Sequence, residues 1–107
     1  MARVRLQMSH VTDWAAFHRE FAQVLGFPSF YGENLDAWID CMSSLRDPLS
    51  DEMVGIRIGS HELLELELAD YEDFSRRLPE VASALAETAA FVNRERYSDP
   101  AIALVPR

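Results

Sequence analysis

The amino-acid sequence predicts an α/β fold in which a small, mainly parallel β-sheet is packed with helices. Stretches with strand character stand near the start, in the second half and at the end of the chain, and stretches with helical spacing of apolar residues lie between them. This order favours three parallel core strands joined by right-handed crossovers. The chain has 107 residues, 49% of them hydrophobic, which suits one domain over residues 1–107 with its own core.

The first strand and the first helix have clear signatures. Apolar and polar residues alternate over residues 4–8, which predicts a strand with one solvated face. Thr12 and Asp13 suit the N-cap of the helix that follows. The apolar residues of this helix recur at helical spacing: Trp14, Phe17, Phe21, Val24 and Leu25. Gly26 can adopt the left-handed conformation that ends a helix, and Pro28 prevents its continuation.

A second helix follows a turn-rich loop over residues 28–33 and is capped by Asn34. It is predicted to run to about Leu45. Its other apolar residues keep helical spacing: Leu35, Trp38, Ile39 and Met42. Because Trp14 and Trp38 fall on the apolar stripes of their helices, both are expected in the core.

The second half of the chain alternates between strands and helices. Residues 63–68, in which leucine and glutamate alternate from Leu64 onward, predict a strand, and the weaker stretch 54–58 allows an extra antiparallel strand in a hairpin with it. A short helix capped by Asp70 and a longer one beginning at Pro79 follow. Residues 101–105 are continuously apolar, which predicts a buried strand. Two glutamates of the middle strand are expected to pair with two arginines of the first: Glu65, Glu67, Arg3 and Arg5.

The charge distribution restricts the classes of partner. The net charge is −8, and residues 29–73 hold twelve acidic residues and two arginines, a net charge of −10. Binding to nucleic acid or to an anionic membrane needs the opposite sign, so we expect neither, and a basic protein is the natural partner. The lone Cys41 leaves no internal disulfide, and no stretch suits a signal peptide or a membrane span, so a cytoplasmic location is expected.

Two carboxylates on the second helix are the candidate functional groups. Asp36 and Asp40 are four residues apart, so both point from one helix face with about 6 Å between their Cβ atoms, and Glu33 and Ser43 extend this face. The pattern allows either a solvated acidic face or a preformed anionic surface for a basic pocket. A catalytic pair is disfavoured, because one exposed helix face cannot readily make one carboxyl an acid and the other a base. The three histidines are isolated and no cofactor motif is present, so we expect no enzyme, no metal site and no cofactor.

Residues 27–42, with the sequence FPSFYGENLDAWIDCM, resemble the hallmark segment of the barstar family, the intracellular inhibitors of secreted, barnase-type ribonucleases. The resemblance implies a small parallel sheet covered by helices. It also implies that the second helix and the loop before it enter the ribonuclease active site, where carboxylates stand in for RNA phosphates. Asp40 would be the central anion and Asp36 its partner. The contact residues that the resemblance implies are Phe30, Gly32, Asn34, Asp36, Ile39, Asp40, Ser43, Ser44 and, on the last helix, Glu87.

The chain departs from the family's pattern around the two carboxylates. The family has a tyrosine at the position of Phe30 and tryptophans at the positions of Ile39 and Leu45, and residues 46–62 look like an insertion. This combination favours an inhibitor of a different basic ribonuclease; the alternative is an immunity or regulatory protein for another basic toxin or partner. Of Phe30 and Tyr31, one is expected to pack under the loop and the other to face the partner.

Overall fold

Three strands form one parallel sheet with the order β1-β2-β3. The structure, a computed structural model, describes residues 2–49 and 52–107. Strand β1 spans Ala2–Gln7, β2 spans Leu64–Ala69 and β3 spans Ile102–Pro106. Both outer strands pair with β2 in matched register along nearly its whole length. The predicted α/β fold with a small parallel sheet is therefore confirmed.

In the described part of the chain, four α-helices and a 3-10 turn connect the strands. The 3-10 turn at Met8–His10 and helix α1 (Trp14–Leu25) follow β1, and helix α2 (Leu35–Met42) comes next. Helices α3 (Tyr71–Arg77) and α4 (Pro79–Glu95) lead from β2 to β3. Helix α1 packs on β1, α4 packs on β3, and α2 packs against α4. Within the described residues, no helix has the length and apolar character needed to cross a membrane.

One apolar core lies between the sheet and the helices. Strand alternation turns Leu64, Leu66 and Leu68 of β2 toward this core, where all three are fully buried. The largest buried side chains from the helices are Phe17, Phe21, Trp38 and Phe74. The opposite face of the sheet carries the predicted ion pairs, Arg3–Glu65 at 2.9 Å and Arg5–Glu67 at 3.1 Å. The alternation of the strands thus separates an apolar face from a charged one.

The stretch 54–58 does not form a strand, and the extra antiparallel strand expected there is wrong. Strands β1 and β3 occupy both edges of β2, so no edge of β2 is left for a hairpin partner. The backbone of this stretch bonds instead to the end of α1 and to the turn that follows α2. The Gly55 N–H donates to the Leu25 carbonyl at 2.8 Å, and the Ile58 N–H donates to the Leu45 carbonyl at 2.9 Å. The apolar residues at its two ends are buried, which explains the strand-like pattern.

Helix α2 ends at Met42 rather than near Leu45. The Ser44 N–H bonds to the carbonyl of Cys41, three residues earlier, at 3.1 Å, so the chain tightens into turns after the helix. The Tyr97 hydroxyl donates to the Met42 carbonyl and accepts from the Leu45 N–H at 3.2 Å. A side chain from the segment before β3 therefore satisfies backbone groups that another turn of helix would have used.

Two further expectations are wrong at the ends of helices. Asp70 stands at the N-cap position of α3, but its side chain makes no capping hydrogen bond: its φ of +59° turns the backbone left-handed, and its carboxylate instead accepts a hydrogen bond from Gln7 Nε2 at 2.6 Å. Trp14 is 39% exposed rather than buried in the core. It is the first residue of α1, at the rim of the apolar stripe, where its ring stacks on His18 at 6.0 Å between centroids. Trp38 is fully buried, as expected.

A buried arginine ties the turn after α2 to the segment that leads into β3. The side chain of Arg46 is only 9% exposed and donates to the Asp99 carboxylate at 3.0 Å. It also donates to the carbonyls of Glu62 at 2.8 Å and Pro100 at 3.1 Å. The hydrogen bond from Arg46 is the main reason that the pKa of Asp99 is lowered. One guanidinium therefore holds together three segments that are far apart in sequence.

Replacing this arginine is expected to destabilise the fold. Arg46→Ala should lower the free energy of unfolding by about 2 kcal/mol, because Asp99 and two carbonyls lose their donor. Arg3→Ala, which removes an exposed ion pair, should cost at most about 1 kcal/mol. Urea unfolding followed by circular dichroism measures both values. Equal losses for the two variants would contradict the central role of Arg46.

Candidate partner-binding site

Helix α2 begins at a side-chain cap. Oδ1 of Asn34 accepts a hydrogen bond from the Ala37 N–H at 2.8 Å, and its Nδ2 donates to the Gly32 carbonyl at 3.3 Å. Glu33, between them, has a φ of +52°, so the chain turns sharply into the helix. A Cβ added to Gly32 would lie only 3.2 Å from Asn34 Nδ2, so the missing side chain leaves room for the cap. The cap fixes the first turn of α2 relative to the loop 28–33.

A hydrogen bond between two side chains holds this loop against α1. His18 Nδ1 and the Tyr31 hydroxyl are 2.6 Å apart, and the Phe27 ring packs on Tyr31 with 4.8 Å between centroids. Burial lowers the pKa of His18, an effect that Glu33 partly opposes. Burial likewise raises the pKa of Tyr31. The sequence did not predict this contact, since the two residues are 13 positions apart and no spacing rule connects them.

The carboxylates of Asp36 and Asp40 are exposed and have no hydrogen-bond or ion-pair partner in the described part of the chain. Asp36 lies in the first turn of α2, where the helix dipole favours a negative charge. Several other acidic residues of the segment 29–73 are paired, as with Asp73, whose carboxylate lies 2.7 Å from Arg77. Helix α2 therefore presents two free carboxylates on one face, as the spacing predicted.

A pocket of about 200 Å³ opens beside Asp40. Phe30 is 67% exposed at its rim, whereas Tyr31 is half-buried against α1. The expectation that one of these two rings packs under the loop is confirmed for Tyr31. Met53, which the sequence analysis did not single out, lines the same pocket. No motif marks Met53, since it reaches the pocket only through the path of the chain after α2.

The other predicted contact residues lie on α2, in the turn after it and on α4. Ile39 is half-buried and packs against the core. The hydroxyls of Ser43 and Ser44 donate to the backbone carbonyls of Ile39, at 2.5 Å, and Asp40, at 3.3 Å. Glu87 is exposed on α4, which packs against α2. The structure thus joins Phe30, Gly32 and Asp40 in one pocket, while Asn34 lines a neighbouring depression with Trp14.

The site has the chemistry of a binding surface. Cys41 is 1% exposed, and burial, with a smaller contribution from Asp40, raises the pKa of its thiol to about 11, so the thiol is neither accessible nor ionised near neutral pH. Among the residues that the structure describes, no three His, Cys, Asp or Glu side chains are grouped to hold a metal ion. What α2 offers is fixed negative charge beside an apolar pocket, which suits a cationic group of a partner.

Protonation of His18 is expected to destabilise the protein. Because burial lowers its pKa in the folded state, the unfolded chain, with a histidine pKa of about 6.5, binds the proton first as the pH decreases. The free energy of unfolding should therefore fall below about pH 6.5, and His18→Gln should flatten this fall. Thermal unfolding at several pH values between about 7.5 and 5 measures it. His61→Gln, with an 83% exposed side chain, should leave the fall in place; a similar flattening in both variants would contradict the assignment to His18.

Comparison with known proteins identifies the family of this chain. The family model described as Barstar (barnase inhibitor) matches residues 1–101, a range that includes β1, β2, all four α-helices and the loop before α2. No curated protein matches the chain. The proteins of this family are inhibitors, not enzymes. The resemblance identified at residues 27–42 is thereby confirmed, and the chain belongs to the Barstar (barnase inhibitor) family.

Proposed function

We propose that the chain binds a basic, barnase-type ribonuclease and blocks its active site with α2 and the loop 28–33. The observation that carries this proposal is the pair of unpartnered carboxylates, Asp36 and Asp40, on one exposed face of a helix in a member of the barnase-inhibitor family. A pocket that binds RNA phosphates presents cationic donors, and arginine forks bind carboxylates with two parallel hydrogen bonds. The helix therefore imitates the charge of the substrate.

The fixed geometry of the surface supports this function. The Asn34 cap sets the start of α2, and the bond between His18 and Tyr31 holds the loop on α1. A surface that is already ordered loses little conformational entropy when it binds, so more of the interaction energy remains as affinity.

The charge around the site supports fast association with a basic partner. The segment 29–73 carries a net charge of −10, and the two free carboxylates lie within it. Such a field attracts a cationic protein over long distances and raises the association rate, an effect that added salt screens. We therefore expect the association rate to fall strongly as the ionic strength increases.

The proposal gives each predicted contact residue a role. Asp40 is the central anion and Asp36 its partner, and Phe30 and Gly32 shape the pocket beside Asp40. Since both ends of the Asn34 amide are used in the cap, this residue acts mainly by holding the surface in place. The outer contacts of the proposed interface are Ile39, Ser43, Ser44 and Glu87.

We further propose that residues 1–107 form one inhibitor domain that acts in the cytoplasm as the antitoxin of a ribonuclease toxin. A single apolar core that includes residues from every strand and α-helix supports one domain. The free thiol of Cys41, buried in this core, suits a reducing compartment.

Calorimetric titration against a panel of basic ribonucleases, barnase included, tests the proposal. We expect at least one tight complex in which ribonuclease activity is lost at one inhibitor per enzyme. Asp40→Asn should weaken this complex by about a hundredfold or more, a magnitude measured on charge pairs of the barnase–barstar complex itself. Asp36→Asn should weaken it less, because Asp40 lines the pocket and Asp36 does not.

Glu72→Gln is the matched control for these variants. It removes the same charge from an exposed carboxylate on α3, outside the proposed contact, and should change affinity by less than about threefold. If no basic ribonuclease binds even at low ionic strength, the ribonuclease proposal is wrong, and the alternative, an inhibitor of another basic toxin, takes its place. RNase binding that leaves activity intact would show that the active site is not covered.

A further inference from the structure

The chain after α2 returns across the end of α1 and is fixed there. We call residues 52–59 the return segment. Its Gly55 N–H donates to the Leu25 carbonyl at 2.8 Å, and a Cβ added to Gly26 would lie 2.9 Å from the Gly55 Cα, so the two backbones are in direct contact. Gly26 itself has a φ of +69°. The return segment therefore packs directly on the end of α1, where Gly26 and Gly55 allow the two backbones to approach closely.

Both ends of the return segment are attached to the fold. The Ile58 N–H donates to the Leu45 carbonyl at 2.9 Å, and Ile58 is 5% exposed. At the other end, Val54 is 1% exposed in the core. Beyond the segment, the buried guanidinium of Arg46 donates to the Glu62 carbonyl at 2.8 Å. The backbone that carries Met53 is thus anchored by the buried Val54 next to it.

Met53 lies on the wall of the pocket that contains Asp40. The pocket has Phe30 and Tyr31 on the side of the loop, and Asp40 and Cys41 on the side of α2. Met53 is the lining residue that belongs neither to α2 nor to the loop before it. One carboxylate among aromatic and sulfur-containing groups fits a side chain with a flat cationic head and an apolar stem, which is the chemistry of arginine.

We propose that the return segment is an additional contact element of the inhibitor, in which Met53 packs on the stem of an arginine of the partner while Asp40 binds the guanidinium. This inference rests on the proposed function and adds a specificity contact to it. A partner without an arginine at this point would leave both Met53 and the rim of the pocket uncovered, so the segment helps to select among basic ribonucleases.

The test uses the full-length chain and the ribonuclease of the panel that binds it most tightly. Met53→Ala should weaken the complex about tenfold through faster dissociation, as expected for loss of an apolar contact near the centre of an interface. The salt dependence of the affinity should be the same for this variant as for the wild type, because the substitution changes no charge. Leu49→Ala, which truncates a 91% exposed side chain before the return segment, is the matched control and should leave the affinity unchanged.

A double-mutant cycle and a spectroscopic measurement complete the test. If Met53 and Asp40 hold the same arginine, the losses of Met53→Ala and Asp40→Asn should be non-additive. The methyl resonance of Met53 should shift when the ribonuclease is added. If the complex forms and responds to Asp40→Asn but neither Met53→Ala nor the methyl resonance shows an effect, this inference is wrong while the proposed function stands. If no ribonuclease of the panel binds, both are wrong.

Discussion

An eight-residue helix with two repelling carboxylates on one face must be held by the rest of the protein. Helices of this length are marginal in water, and like charges four residues apart weaken them further. Helix α2 is held at three places: Asn34 caps its start, Trp38 is buried in the core, and Tyr97 satisfies backbone groups at its end. Everything proposed for the binding surface depends on these supports, because each of them leaves the face with Asp36 and Asp40 free.

The segments on either side of α2 are held by contacts with opposite ends of the chain. The loop before α2 is fastened to α1 through His18 and Tyr31, whereas the turn after α2 is fastened to the segment before β3 through Arg46 and Asp99. The binding face is therefore built on contacts between elements that are distant in sequence. Such contacts form only when the domain has folded, so the acidic helix and the sheet that carries it are expected to fold together.

The structure also changes the meaning of the negative charge. Net charge alone treats every acidic residue of the segment 29–73 alike, but Glu65 and Glu67 neutralise arginines on the outer face of the sheet, and Asp99, outside the segment, holds Arg46. The two free carboxylates of α2 are thus only a small part of the negative charge of this segment. All of these charges contribute to long-range attraction, whereas the carboxylates without an internal partner are the ones most available for specific contacts.

The sequence by itself determined the parallel α/β fold, the Asn34 cap and the shared face of Asp36 and Asp40, since each follows from local spacing and capping chemistry. Only the tertiary structure decided that residues 54–58 are not a strand, that Asp70 does not cap α3, that Trp14 lies at the surface, and that Met53 stands beside Asp40. These outcomes depend on which backbone and side-chain groups meet across long stretches of chain. The local sequence shows whether a residue is apolar or able to cap a helix. It does not show which of several possible partners will lie next to that residue in the folded chain.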